Sequence, residues 1–178
     1  MRDANIPTAK FWKVNSLKEA KKIIHSTSIP LVVKADGLAS GKGVFIPDSK
    51  EECFKETESI FNGKFGNSGN VVVLEEKIHG PEVSVFALCD GIKYILLPSA
   101  QDHKRLNEKD KGPNTGGMGA YSPAPLLTKN YLERIIKEII EPTINELNNK
   151  NIDYKGVIYF GLMITKSGPK VIEYNCRF

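Results

Sequence analysis

The stretch Pro30-Leu31-Val32-Val33-Lys34-Ala35-Asp36-Gly37-Leu38-Ala39-Ser40-Gly41-Lys42-Gly43-Val44-Phe45-Ile46 decides the fold class. Residues 30–35 form a short apolar run rich in β-branched side chains and residues 44–46 form another, so both read as strands. The loop between them, 36–43, carries glycines that let backbone N–H groups approach an anion, and Lys42 adds charge. A Walker-type phosphate loop places four residues between Gly and Gly-Lys, continues with Ser or Thr and opens a helix. Here Gly37 and Gly41 enclose three residues, Gly43 follows Lys42, and the loop runs from strand to strand. Strands joined so directly pair antiparallel, which predicts an α+β fold and not a doubly wound parallel sheet. On its own the loop reads equally as a flexible hairpin. Lys34 favours a phosphate partner, because a lysine inside an apolar strand is almost never buried unpaired.

Working outward, Ser16-Leu17-Lys18-Glu19 is a capping box, followed by Leu17, Ala20, Ile23 and Ile24 at helical spacing. Ser49-Lys50-Glu51-Glu52 repeats the box and opens a helix that turns Cys53, Phe54, Ile60 and Phe61 inward. Residues 70–78 read as a buried strand ending in Glu75 and Glu76; residues 82–88 alternate, and Asp90-Gly91 turns the chain into a strand at 94–97. Residues 99–125 show no period and are expected to be a functional or unstructured loop. Leu132, Ile135, Ile136 and Ile139 mark a third helix that Pro142 bends or restarts, and 157–164 with 170–175 form a closing hairpin. Acidic strand ends such as Glu75, Glu76 and Glu82 are commonly no more than solvated, and His79 reads as exposed.

The 178 residues suffice for one good core or two small lobes, and 40% hydrophobic with 26% charged residues excludes global disorder. No apolar run approaches the ~20 residues of a membrane span, and Met1-Arg2-Asp3-Ala4-Asn5 lacks a secretory apolar region. The net charge of +4 suits an anionic small ligand. It is too small to imply nucleic acid, and no basic face with interleaved aromatics is visible. Cys53, Cys89 and Cys176 form no CxxC motif or disulfide frame, which points to the reducing cytoplasm. No Ser-His-Asp or Cys-His nucleophile arrangement is visible either.

Taken together, Val33-Lys34-Ala35-Asp36-Gly37, Gly41-Lys42-Gly43, Glu75-Glu76 and Glu82 resemble the nucleotide half of ATP-grasp ligases. Gln101-Asp102-His103-Lys104-Arg105, Gly112-Pro113-Asn114-Thr115-Gly116-Gly117-Met118-Gly119-Ala120-Tyr121-Ser122-Pro123-Ala124-Pro125 and Glu173-Tyr174-Asn175-Cys176-Arg177-Phe178 narrow the resemblance to the phosphoribosylamine–glycine ligase family. It runs from about Ile6 to the last residue.

The resemblance implies two α+β subdomains of mostly antiparallel sheet gripping ATP between them. They would fall at about 1–78, a nucleotide-binding subdomain with a glycine-rich flap, and about 79–178, carrying the acceptor loop and the metal strand. By the same resemblance Lys34 and Lys42 hold phosphates, with Gly41, Lys42 and Gly43 as the flap. Glu75 meets the adenine amino group by side chain, Glu76 and Ile78 meet the base by backbone, and Glu82 meets the ribose hydroxyls. Glu173 and Asn175, two apart on a strand, project to one face, and both offer the oxygen that Mg²⁺ (or Mn²⁺) prefers. A merely hydrated strand face is the alternative for that pair. Lys104 and Arg105 serve a phosphate of the acceptor, Asp102, Asn114, Thr115, Gly116, Gly117 and Met118 shape the substrate site, and Arg177 holds the glycine carboxylate or the transferring phosphoryl group. Asp102, His103 and Asp110 read equally as residues that order the loop.

The implied reaction joins glycine to 5-phosphoribosylamine through a glycyl phosphate, with ATP as phosphoryl donor, in purine biosynthesis. Another ATP-grasp carboxylate–amine ligase and a non-catalytic ATP-binding module are the alternatives. Family members carry an N-terminal α/β domain and a further C-terminal segment, so the chain is expected to be a central fragment that acts with the remainder of the same enzyme.

Overall fold

Both capping boxes form in a computed structural model of the chain, which describes residues 1–37, 39, 43–108 and 111–177, except the side chains of Arg105 and 111–114. The Ser16 hydroxyl accepts from the Glu19 N–H at 3.3 Å while the Glu19 carboxylate accepts from the Asn15 N–H at 2.9 Å. Ser49 and Glu52 repeat this arrangement at 3.0 and 2.8 Å, the latter from the Asp48 N–H. These contacts satisfy N–H groups that a helix start leaves without intrahelical partners. They open α1 (Leu17–Ser26) and α2 (Lys50–Ser59).

Contacts divide the chain into two units, Ala9–Ile78, and Met1–Thr8 with His79–Phe178. The first eight residues, expected with the nucleotide-binding subdomain, thus belong to the other unit. Thr8 Oγ donates to the Val171 carbonyl at 2.8 Å, and Pro7 O accepts from the Val171 N–H at 2.8 Å.

The Ala9–Ile78 unit holds β1 (Phe11–Val14), β2 (Leu31–Ala35), β3 (Val44–Phe45) and β4 (Val72–Glu76) in the order β1-β4-β2-β3, every pair antiparallel. Strand β1 was not visible in the sequence pattern. Leu31, Val33, Val72 and Leu74 face α1 and α2, whose Ala20, Ile24 and Cys53 complete a core with Val14 and Ile60. Each such aliphatic side chain contributes about 1.5–3 kcal/mol when fully buried. Because strand side chains alternate, Val32, Lys34, Val73 and Glu75 all point to the opposite, helix-free face.

The second unit is built on β5 (Glu82–Cys89), β6 (Tyr94–Leu96), β11 (Gly156–Thr165) and β12 (Gly168–Asn175), ordered β12-β11-β5-β6 and again antiparallel. The expected turn between β5 and β6 forms, with the Asp90 carboxylate accepting from the Ile92 and Lys93 N–H groups at 2.9 and 2.6 Å. Residues 99–125, which show no period and read as a functional or unstructured loop, contain β7 (Gln101–Asp102), β8 (Arg105–Asn107), β9 (Lys111–Asn114) and β10 (Ala120–Tyr121). Pairings of two to four residues carry no periodicity, so their sequence is silent about them. Helices α3 (Lys129–Ile135) and α4 (Glu141–Asn149) flank a π-helical turn, Ile136–Ile140, and Pro142 restarts the helix where its missing N–H costs least. Ile135, Ile139, Ile140 and Ile144 pack on Val85, Ile158, Phe160 and Leu162, leaving the other sheet face without helices. Among the described residues no helix is long and apolar enough to cross a membrane.

Candidate active site

On the helix-free face of the first unit, Lys34 stands between Val44 and Val73 in the sheet register and Glu75 stands opposite Val32. The two charged side chains meet diagonally, Lys34 Nζ lying 2.6 Å from Glu75 Oε2. The family resemblance assigns them to different parts of a nucleotide, and the structure makes them direct partners. The Glu76 N–H donates to Lys10 O at 2.8 Å and the Lys77 N–H to Pro30 O at 2.9 Å, so both donors are already used within the unit. The described ends of the glycine loop are pinned to the sheet. Ala35 N–H donates to Gly43 O at 2.9 Å, Asp36 N–H to Val71 O at 3.0 Å, and Lys13 pairs with the Asp36 carboxylate at 2.9 Å. Gly41 and Lys42 lie outside the described residues.

The second unit presents a corresponding face, and a β-bulge creates it. Strands β11 and β12 pair Leu162 with Val171 but Gly161 with Glu173, so Ile172 is extra. Val171 is fully buried in the core and Tyr174 packs edge-on against Phe160 at 5.4 Å. The core side of β12 therefore shifts from odd to even residues at the bulge, which turns Glu173 and Asn175 out to the helix-free face. There Ser84, Gly161 and Glu173 form one row across the sheet, and Phe86, Tyr159 and Asn175 the next. The Ser84 hydroxyl donates to Tyr159 Oη at 3.3 Å, and Phe86 and Tyr159 meet edge to face at 5.5 Å.

Ala100 is joined to β5 at the edge of this sheet by paired backbone hydrogen bonds with Ser84, 2.8 and 2.9 Å. Lys104 Nζ reaches Glu82 Oε2 at 3.5 Å. Burial pulls the Lys104 ammonium down, but Glu82, Tyr159, Asp102 and Glu173 together outweigh it and raise its pKa. Burial raises the Tyr159 phenol, with Glu173 and Asp102 adding to the rise and Ser84 and Lys104 opposing it. The loop is tied into a ribbon: Lys104 O accepts from the Thr115 N–H and hydroxyl at 2.6 and 2.9 Å, and His103 bonds Met118 and Gly119 at 2.7 and 2.9 Å. Gly117 N–H caps the Thr115 hydroxyl at 3.1 Å. Asp102 pairs with Ala120, and Arg105 with Asn114, in the strand register. Gly116, Gly117 and Met118 are exposed, as is Arg177, two residues past Asn175. The side chains of Arg105 and Asn114, and the whole of Asp110, lie outside the described residues.

A family model for the phosphoribosylglycinamide synthetase ATP-grasp (A) domain matches residues 1–178. The chain belongs to this family. It is 49% identical over 180 residues to phosphoribosylamine–glycine ligase of Leptospira interrogans, covering 100% of this chain and 42% of that protein. It is also 49% identical, over 175 residues, to the trifunctional purine biosynthetic protein adenosine-3 of Gallus gallus, covering 97% of this chain and 17% of that one. The crystal structure of phosphoribosylamine–glycine ligase from Thermotoga maritima superimposes with a TM-score of 0.90 at 36% identity, over 100% of this chain and 45% of that one. The chain thus spans less than half the length of these relatives.

The ATP-grasp domain thereby has an α+β fold with antiparallel sheets. Its second unit gathers Glu82, Asp102, Lys104, Glu173 and Asn175 on or beside one sheet face, although they come from three separate stretches of sequence. Among the described residues no three His, Cys, Asp or Glu side chains cluster as a self-sufficient metal site. The Glu173 carboxylate and Asn175 carbonyl are hard oxygen donors on one face, a donor set that fits a Mg²⁺ or Mn²⁺ ion sharing its shell with phosphate and water. Ser84 and Tyr159 were missed by sequence reasoning. The signal lay in the alternation of Glu82, Ser84 and Phe86 and of Tyr159 and Gly161, once the strands are known to pair.

Proposed function

We propose that this ATP-grasp domain is the nucleotide- and metal-holding part of a phosphoribosylamine–glycine ligase, acting with the rest of the longer polypeptide that its relatives have. The observation that carries the reading is the convergence of Lys104, Glu82 and Asp102 on the face bearing Glu173 and Asn175, in a chain 49% identical to a ligase of that name. A glycine carboxylate oxygen attacks the γ-phosphorus of ATP and ADP leaves. The amine of 5-phosphoribosylamine then attacks the acyl carbon of glycyl phosphate, the carbon–oxygen bond to phosphate breaks, and the nitrogen loses a proton.

The protein's task is to align anions and screen their repulsion. Lys34 binds ATP phosphates, and Gly41, Lys42 and Gly43 close over them. Glu75 takes the adenine amino group, Glu76 and Ile78 the base through their backbone, and Glu82 the ribose. Lys104 and Arg105 meet the acceptor phosphate beside Asp102, Asn114, Thr115, Gly116, Gly117 and Met118, and Arg177 meets the glycine carboxylate. Glu173 and Asn175 hold Mg²⁺ or Mn²⁺, which supplies charge neutralisation to phosphate oxygens when bound. On this reading the ribose and acceptor subsites adjoin, which the 3.5 Å contact between Lys104 and Glu82 supports.

Isothermal titration of the chain with Mg-ATP tests the reading. Saturable binding is expected, weakened at least tenfold in Lys34→Ala and in Glu173→Gln by loss of charged partners. Absence of binding, or wild-type affinity in both variants, refutes it. In the full-length enzyme, ADP release that depends on glycine and on phosphoribosylamine separates this reaction from that of another carboxylate–amine ligase.

A further inference from the structure

Gly161 is not explained by its backbone, since it is not among the glycines with positive φ. It is explained by what lies over it. A Cβ at this position would stand 2.7 Å from Glu173 Cγ, 3.1 Å from Tyr159 Cε1 and 3.2 Å from Tyr159 Oη. Real Cβ atoms do not approach a carbon at 2.7 Å, so an alanine would displace the Glu173 side chain. Gly161 is paired in register with Glu173 on one side and with Ser84 on the other. The space above it is therefore a slot walled by Ser84 and Tyr159, whose hydroxyls bond at 3.3 Å, and filled by the Glu173 stem.

We infer that Gly161 and Tyr159 are positioning residues for the Glu173 carboxylate. The absent side chain opens the slot, and the Tyr159 ring, braced by Phe86 at 5.5 Å, closes one side of it. The bulge at Ile172 chooses the face on which Glu173 emerges, and the slot chooses where on that face its stem lies. A side chain with three rotatable bonds at the exposed position of β12 is thereby held in one arrangement ahead of any ligand, and preorganisation of this kind raises affinity by lowering the ordering cost. The inference deepens the metal reading above and rests on it for its functional consequence, though the slot itself does not.

The test compares wild type, Gly161→Ala, Glu173→Gln and the double variant for retention of Mn²⁺ in the presence of ADP, followed by the electron paramagnetic resonance of free Mn²⁺. Supporting groups around metal ligands typically change affinity by about 10–100-fold, so Gly161→Ala is expected to weaken Mn²⁺ retention at least tenfold with its melting transition unchanged. Because it acts through Glu173, it should add nothing in the Glu173→Gln background. Unchanged affinity in the single variant, or additive losses in the double, overturns the inference. A second measurement needs neither variant nor ligand: in wild-type protein, nuclear Overhauser contacts from the Gly161 α-protons to the Glu173 γ-protons and one Glu173 χ1 rotamer are expected. Rotamer averaging there overturns the slot. Loss of Mn²⁺ binding in wild type with that single rotamer intact overturns the metal reading alone.

Discussion

Lys34 Nζ and Glu75 Oε2 lie 2.6 Å apart on the helix-free face of the first sheet, with side chains only 24% and 12% exposed. Removing one member of such a pair leaves the other charge poorly solvated, which costs about 3 kcal/mol in buried cases. Lys34→Met is therefore expected to lower unfolding stability by about 2–3 kcal/mol. Lys34→Met/Glu75→Gln should recover most of it, because the isolated charge is gone. Urea unfolding monitored by circular dichroism reads both; a double variant no more stable than the single would show that the pair does not act as a unit.

Lys104 gives a pH dependence with a definite sign. Its pKa is raised in the folded state, because Glu82, Tyr159, Asp102 and Glu173 outweigh the effect of burial. The stability this contributes is complete below the ordinary lysine value of ~10.4 and is lost as pH rises through the higher folded value. The urea midpoint difference between wild type and Lys104→Met should stay level from pH 7 to about 10 and shrink above it. A difference that grows above pH 10 would contradict the sign.

The three thiols should separate cleanly. Burial pushes the Cys53 thiol up to about 11, and burial and then Asp90 raise Cys89, whereas Cys176 is exposed. Since the thiolate is the reactive form, an aromatic disulfide reagent at pH 8 is expected to modify Cys176 rapidly and the other two only after denaturation. Fast modification of more than one thiol in the native protein, located by mass spectrometry, would refute this.

Ser49 offers a stability change that should spare the binding face. Its hydroxyl caps α2 through the Glu52 N–H at 3.0 Å. Ser49→Ala is expected to cost about 1 kcal/mol in urea unfolding. Mg-ATP affinity should not change, and a changed affinity would mean that α2 communicates with the nucleotide face.

Much of the fold was legible because it rests on local chemistry. Ser16 with Glu19 and Ser49 with Glu52 announced two helices, and the Asp90 turn announced a hairpin, since each relies on contacts within a few residues. Strand β1 stayed hidden because Phe11–Val14 is held by pairing with β4, some sixty residues away in sequence. The short strands of residues 101–121 stayed hidden for a similar reason: Thr115 and Lys104 meet through one carbonyl, which leaves no pattern in residue type. At the candidate site the charged residues could be picked out one by one, but not their partners. The i, i+2 spacing of Glu173 and Asn175 indicated a shared face. Which face it is depends on the bulge at Ile172, and a bulge changes pairing without changing composition.

The division of the chain into a continuous unit and a discontinuous one also orders its assembly. The core of Ala9–Ile78 is contiguous in sequence and can close once the chain as far as Leu74 has emerged from the ribosome. The other unit must wait, because Ile6 belongs to its core and Thr8 bonds to Val171, 163 positions later. Residues 1–8 thus emerge from the ribosome before the first unit but dock after it, when the closing hairpin appears.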